Sequence, residues 1–506
     1  MTLRGTDSLW LDLAGADARP HPELDRDITV DVAVIGGGIA GITTALLLKR
    51  DGASVAVLER GAVGAGATGF TTAKTSALQE TVLKQVRQMH GDDGVRDYAQ
   101  ANLAAIETME GLVREHGIEC SWERLADHTY AGDEQEVSDV EQVIAAAEAA
   151  GLAVQRVEGS GTPLPFDVPL AARLENQAQM NPAEYVRGLG ETLRGDVYET
   201  TPVRHVSARS PYTLETEGGA KVTAEHVVVA TNYPLLDRGI FFARIEATRS
   251  YLVAARVRGG RAVDGMAITA GQPTRSVRPF EHDGESWLLV GGEGHQTGAK
   301  DAQPDRYESL TEFATKHWDV IDVPYRWSTQ DGKPVDHLPY IGRYAPGVDT
   351  MWVGTGYMKW GMTNGTVAAT VISDLIAGRE NLYAERFDPN RLTVKSAPEV
   401  AKLQAHVGVH FFGDRARPAE VSSSEDVPAG EARVVRSGAG KVGVYRDDAG
   451  GLHAVSLRCT HLGCLTRWND ADRSWDCPCH GSRFDPDGEV LAGPAAEPLE
   501  KRDPPA

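Results

Sequence analysis

The tract CTHLGCLTRWNDADRSWDCPCHGS, residues 459–482, holds four of the chain's five cysteines and two of its fifteen histidines. It contains Cys459-x-His461 and Cys477-x-x-His480, two pairs that each join a thiolate donor to an imidazole donor. Secreted disulfide scaffolds spread their cysteines along the chain, whereas cysteines crowded together with histidines are the pattern of a metal centre. Zinc accepts two sulfurs and two nitrogens. Zinc fingers, however, pair cysteine with cysteine and histidine with histidine, while each half here is mixed. Cys120 lies far from the tract and reads as a small buried residue.

With 506 residues, the chain exceeds what one hydrophobic core organises, so two or three domains are expected. A net charge of -21 would repel phosphate backbones and anionic lipid, which argues against a nucleic-acid partner. No run of about 18 uncharged apolar residues suggests a membrane span. The first thirty residues lack the continuous apolar core of a secretory signal, so the expected location is the cytoplasm.

The other strong signal lies near the beginning. VDVAVI (30–35) reads as a buried strand, Gly36-x-Gly38-x-x-Gly41 follows it directly, ITTALLLKR continues as a helix, and SVAVLE (54–59) forms the next strand. Such a strand–glycine loop–helix–strand unit binds a dinucleotide. Gly36 permits the tight turn, and Gly38 admits a pyrophosphate to the backbone of Ile39 and Ala40 at the helix N-terminus. Gly41 lets helix and strand approach. Glu59, at the end of the second strand, is placed to accept ribose hydroxyls and would repel a 2′-phosphate, so FAD or NAD is expected and NADP is not. A single such unit in a long chain favours a tightly held FAD. Residues 84–157 read as helical, and strands are expected within 221–232, 250–257 and 286–292. The segment 349–378 reads as strand, loop and long helix.

GAVGAGATGFTTAKTS (61–76), HVVVATN (226–232), PVDHLPYIGR (334–343) and GTGYMKWGMTNGTVAA (354–369) together resemble the D-amino-acid-oxidase (DAO) superfamily of FAD-dependent oxidoreductases. The resemblance implies an α/β FAD-binding domain, Rossmann-like and of the DAO/glutathione-reductase type, interleaved with an α+β substrate domain. The FAD-binding parts are then 30–83, 176–235 and 330–390, the substrate parts 84–175 and 236–329, with a 1–29 N-terminal extension and a 391–414 linker. It also implies non-covalent FAD, since neither the 61–76 loop nor the 357–359 loop carries cysteine or histidine at the attachment position. Arg60, Gly66, Ala67, Thr68, Thr71 and Thr72 are expected beside the cofactor, with Val203, Ala230 and Thr231 toward its adenosine. Gly342, Arg343, Gly356, Lys359, Gly361, Met362 and Thr363 are expected beside the ring. For the substrate, Lys359 and Lys74 are candidates to polarise the ring or meet a carboxylate. Arg249, Arg275 and Arg278 are candidates for a bidentate carboxylate clamp.

Residues 415–506, with CTHLGC and CPCHGS, resemble the Rieske [2Fe-2S] family, an all-β domain. That resemblance implies one iron on Cys459 and Cys477 and the other on His461 and His480, a ligand set of elevated potential. It further implies a Cys464–Cys479 disulfide, a hydrogen bond from Ser482 to the cluster and a proline loop at Gly493-Pro494-Ala495. Phe484 stands where high-potential members carry tyrosine, so an intermediate potential is expected.

A flavin accepts electrons in pairs and a [2Fe-2S] centre one at a time, so their fusion in one chain points to a dehydrogenase. The expected substrate is a small amine or amino acid, and the expected partner is an external one-electron acceptor. Two alternatives stay open at this point: the reverse flow, from carrier through cluster and flavin to substrate, or an oxidase whose cluster is a sensor or structural element.

Overall fold

The computed structural model describes residues 8–15, 19–299, 305–391, 393–438 and 440–505. The outer parts of the expected N-terminal extension lie outside the described residues.

Four neighbouring parallel strands, Met351–Thr355, Lys221–Val229, Ile28–Ile35 and Val55–Leu58, form the centre of an eight-stranded sheet. Their valine- and isoleucine-rich sequences suit a sheet covered on both faces, and Val32, Val34 and Val57 are fully buried. The helix Ile39–Arg50 packs on this sheet and against the helix Gly361–Ile376. Glycine permits both close approaches. A Cβ on Gly41 would lie 1.9 Å from the Gly36 carbonyl oxygen, and one on Gly365 would lie 2.9 Å from Ile39 Cγ2.

A nine-stranded sheet forms the second layer, running from Val320–Pro334 through Ile245–Val257, Glu285–Gln296 and Arg275–His282 toward Val168–Gln179. The chain therefore alternates between the two sheets. Boundaries differ in detail. Lys74–Thr75 and Val168–Gln179 join the second sheet, so the first FAD-binding part ends before residue 74 and the second begins after 179.

Two further corrections concern element type. Glu123–Tyr130 is a strand inside the region read as helical, and its Asp127 and His128 are buried, so the polar sequence concealed a core strand. The expected linker 391–414 contains most of a helix, Ala397–Ala416. Gly408 and Gly413, each costing about 1 kcal/mol in a helix interior, masked it. Its Val407 and Phe411 pack on the C-terminal core, and Asp414 accepts from Arg467 at 2.7 Å, so the helix belongs to that domain's packing. The C-terminal domain itself is two small antiparallel sheets, Ala432–Ser437 with Gly440–Arg446 and Leu452–Ser456, and Arg467–Asn469 with Ser474–Asp476, Arg483–Phe484 and Val490–Ala492.

Candidate functional site: a dinucleotide cavity walled by the cysteine-histidine domain

One large cavity opens where the two main sheets meet. Gly36, Gly38, Ile39, Ala40, Glu59 and Arg60 line one end. The chain turns at Gly36 with φ 109°, where a Cβ would lie 2.5 Å from the Ala230 carbonyl oxygen. The next helix starts at Ile39 after Gly38, which offers no capping side chain, and its N-terminus lines the cavity at Ile39 and Ala40, a place suited to a pyrophosphate. The Ile39 N–H donates to Thr68 Oγ1 at 3.1 Å, and the Glu59 carboxylate accepts from the N–H groups of Gly37 at 2.6 Å and Gly61 at 2.8 Å. That arrangement fixes the Glu59 carboxylate at this end of the cavity.

Gly66, Ala67, Thr68, Thr71, Thr72, Val203, Ala230 and Thr231 also line the cavity, as do Lys74, Lys359, Gly361 and Met362. Neither cysteine nor histidine does so among the described residues. Three of the residues expected beside the ring, Gly342, Gly356 and Thr363, are not in the cavity lining. A Cβ on Gly342 would lie 3.1 Å from Pro389 Cδ and one on Gly356 2.6 Å from Pro334 Cγ, while the Thr363 hydroxyl accepts from Gln79 at 3.1 Å. Arg343 is likewise absent from the lining.

The arginine clamp is also corrected. Arg249 is 1% exposed and pairs with Asp472 of the C-terminal domain at 2.6 Å. Arg275 pairs with Glu293 at 2.7 Å. Arg278 donates to the carbonyls of Thr72 at 2.8 Å and Met180 at 3.1 Å, holding the cavity-lining loop in place. Arg249 and Arg275 are paired with carboxylates, whereas Arg278 is held through Nη1 alone, its Nε and Nη2 buried without a hydrogen-bond partner among the described residues.

Lys74 is buried, which lowers its pKa, and Asp127 at 3.9 Å opposes that effect. Sequence reasoning missed two acids in the same cavity, Glu80 and Asp331. Burial raises the Glu80 carboxyl, with Lys359 and Lys74 pulling the other way. Burial also raises Asp331 to about 6, although it accepts from the N–H groups of Lys359 and Gly332. Glu80 has φ 55° and Lys359 has φ 70°. Each follows another left-handed non-glycine residue, Gln79 and Met358. Backbone strain of this kind gathers at working sites, and it has no sequence signature.

In the C-terminal domain, Cys459 and Cys477 are buried free thiols, and Cys464 is joined to Cys479. Cys459 is lowered to about 7, chiefly by a hydrogen bond with Cys477, with help from the N–H groups of His461 and Leu462 and from Ser482. His480 is lowered to about 3 by burial and by His461. Cys477, the other partner in that hydrogen bond, is raised by it, so the pair holds one proton to give up on taking metal, while a neutral imidazole is the form that ligates. The His461 and His480 rings lie 5.0 Å apart, and Phe242 of the substrate domain stacks edge-on to both, at 5.6 and 5.3 Å. The donor set thus fits a mixed-ligand diiron cluster.

The family described as FAD dependent oxidoreductase (DAO) matches residues 31–375, more than half of the chain. The chain belongs to the DAO family. Its residues 417–502 match the Rieske [2Fe-2S] domain. This DAO-family chain is 35% identical over 492 residues to the putative Rieske 2Fe-2S iron-sulfur protein YhfW of Bacillus subtilis (strain 168), covering 96% of each chain. It is 24% identical over 394 residues to the gamma-glutamylputrescine oxidoreductase of Escherichia coli (strain K12), covering 73% of this chain and 88% of that one. The fold resembles glycine oxidase from Geobacillus kaustophilus with a TM-score of 0.61 at 19% identity, over 72% of this chain and 99% of that one. FAD and a [2Fe-2S] cluster are therefore the cofactors of this DAO-family oxidoreductase. No helix among the described residues is long and apolar enough to cross a membrane.

Proposed function

We propose that this chain is a dehydrogenase that oxidises a small amine or amino acid and passes the electrons singly through the Rieske cluster to an external acceptor. Bound FAD would supply a two-electron hydride acceptor, and the cluster a one-electron carrier. The names of its relatives, an oxidoreductase of gamma-glutamylputrescine and an oxidase of glycine, support a nitrogen-bearing substrate.

One observation carries the coupling of the two centres. Gln330 lines the flavin cavity, and its side-chain N–H donates to the Gly481 carbonyl at 2.8 Å, next to His480. Within this reading, Glu80 accepts the substrate ammonium proton, because an amine must be neutral to release hydride and burial has raised this carboxyl toward a base of useful strength. Lys74 and Lys359 orient the substrate in the same cavity.

The test is an anaerobic stopped-flow screen of small amines and amino acids for flavin bleaching, followed by EPR of the cluster. Bleaching followed by a reduced-cluster signal is expected. A cluster that stays oxidised while the flavin is reduced would reject the proposal. A flavin reduced only through the cluster by a carrier would favour the reverse flow.

A further inference from the structure

The Rieske domain's proline loop faces two ways. On one side the Ala495 N–H donates to Ser482 Oγ at 3.0 Å, beside the cluster cysteines, and Thr460 Oγ1 donates to the Glu497 carbonyl at 2.6 Å. On the other side Leu491, Ala492, Gly493, Ala495 and Ala496 line the dinucleotide cavity, at the end marked by Glu59 and Arg60. The FAD-binding domain grips the same loop by its carbonyls. Arg60 donates to Val490 at 3.0 Å and Leu491 at 2.8 Å, and Arg204 donates to Ala496.

Elsewhere the docking is close enough to exclude side chains. A Cβ on Gly481 would lie 2.2 Å from Ala247 Cβ, and one on Gly298 would lie 2.6 Å from Pro478. The buried Arg249–Asp472 pair, outside the cavity, adds an ionic clamp to which Ser328 donates at 2.7 Å.

We infer that residues 491–496 form a wall of the FAD site, so that docking of the Rieske domain and retention of FAD stabilise one another. A ligand held against both domains favours their docked arrangement, and docking must favour the ligand by the same factor. The iron-sulfur domain is thereby a structural part of flavin binding as well as an electron carrier. This inference rests on the two cofactors alone and holds whatever the substrate is.

The test needs neither substrate nor acceptor. In full-length protein, release of FAD is followed by flavin fluorescence for wild type and for Arg249→Met, which breaks the ion pair between the domains without changing a cavity-lining side chain. Release at least tenfold faster in the variant is expected, and release within twofold of wild type would overturn the inference. Independently of whether that variant folds, hydrogen exchange is measured on wild type stripped of FAD and after FAD is restored. Exchange at 490–496 should slow at least tenfold on restoring FAD, with 440–456 unchanged as the internal control. Equal exchange at 490–496 in both forms would also overturn the inference.

Discussion

The two redox sites are built in opposite ways. The four proposed cluster ligands all fall within residues 459–482, on two loops tied by the Cys464–Cys479 bond. The flavin cavity draws on residues from Ile35 to Ala496, contributed by three domains. A compact site tolerates no loss of a ligand, whereas a dispersed one depends on many partial contributions. The sharpest way to break this comparison is Cys477→Ser or His480→Ala. Either should abolish cluster assembly, seen as loss of iron and of the reduced-cluster EPR signal. Substrate should still bleach the flavin, while turnover with one-electron acceptors falls at least 100-fold. Retention of a full iron complement in both variants would contradict the assigned ligands.

The next effect tests the seam between the sites. Arg249→Met leaves Asp472 paired only with Arg483, at 3.1 Å. Breaking a buried pair costs 3–5 kcal/mol, and the remaining arginine places this case near about 3 kcal/mol. Denaturant unfolding followed by cluster absorbance should shift accordingly and separate from the flavin-domain transition. A single unshifted transition would show that the pair contributes nothing to docking.

Arg249 also illustrates what the sequence conveyed and what it withheld. The glycine loop, Glu59 and the mixed cysteine-histidine pairs could be read because each depends on spacing within a few residues or on one adjacent unit. Arg249 looked like a substrate clamp because its partner, Asp472, sits in another domain. Thr363 fell in a matching motif, yet its hydroxyl accepts from Gln79, since a motif specifies a loop and not the direction of every side chain. Glu80 escaped notice because its placement depends on left-handed backbone at a non-glycine residue. The buried Asp127 and His128 hid a strand for a related reason: polar residues buried by tertiary packing look exposed in sequence.

Within the flavin cavity, Glu80→Gln keeps the shape and removes the proposed base. Flavin reduction should slow about 100-fold, the low end for loss of general-base catalysis. The deficit should shrink as pH rises and the amine loses its proton unaided. Wild-type rate at neutral pH would remove Glu80 from the mechanism and leave the cofactor assignments intact.

The smallest effect concerns Asp331, whose carboxyl stands at about 6 against an ordinary 3.8 because of burial. A raised carboxyl binds its proton more tightly in the folded chain. Folding is therefore most favoured below about pH 4, where both states hold the proton, and it loses stability as pH rises toward 6 and the buried group is forced to ionise. The difference is worth at most about 3 kcal/mol; Asp331 opens partly to the cavity, so about 1–2 kcal/mol is expected. Asp331→Asn keeps an oxygen that can accept from the Lys359 N–H and never ionises. The variant should match wild type near pH 4 and exceed its stability above pH 6, as read by denaturant midpoints across that range. A variant less stable than wild type at pH 7 would mean that the charge on Asp331 is held favourably by Lys359. The cavity would then be a preorganised ion pair, and its acid would be as firmly satisfied as any group in the compact cluster site.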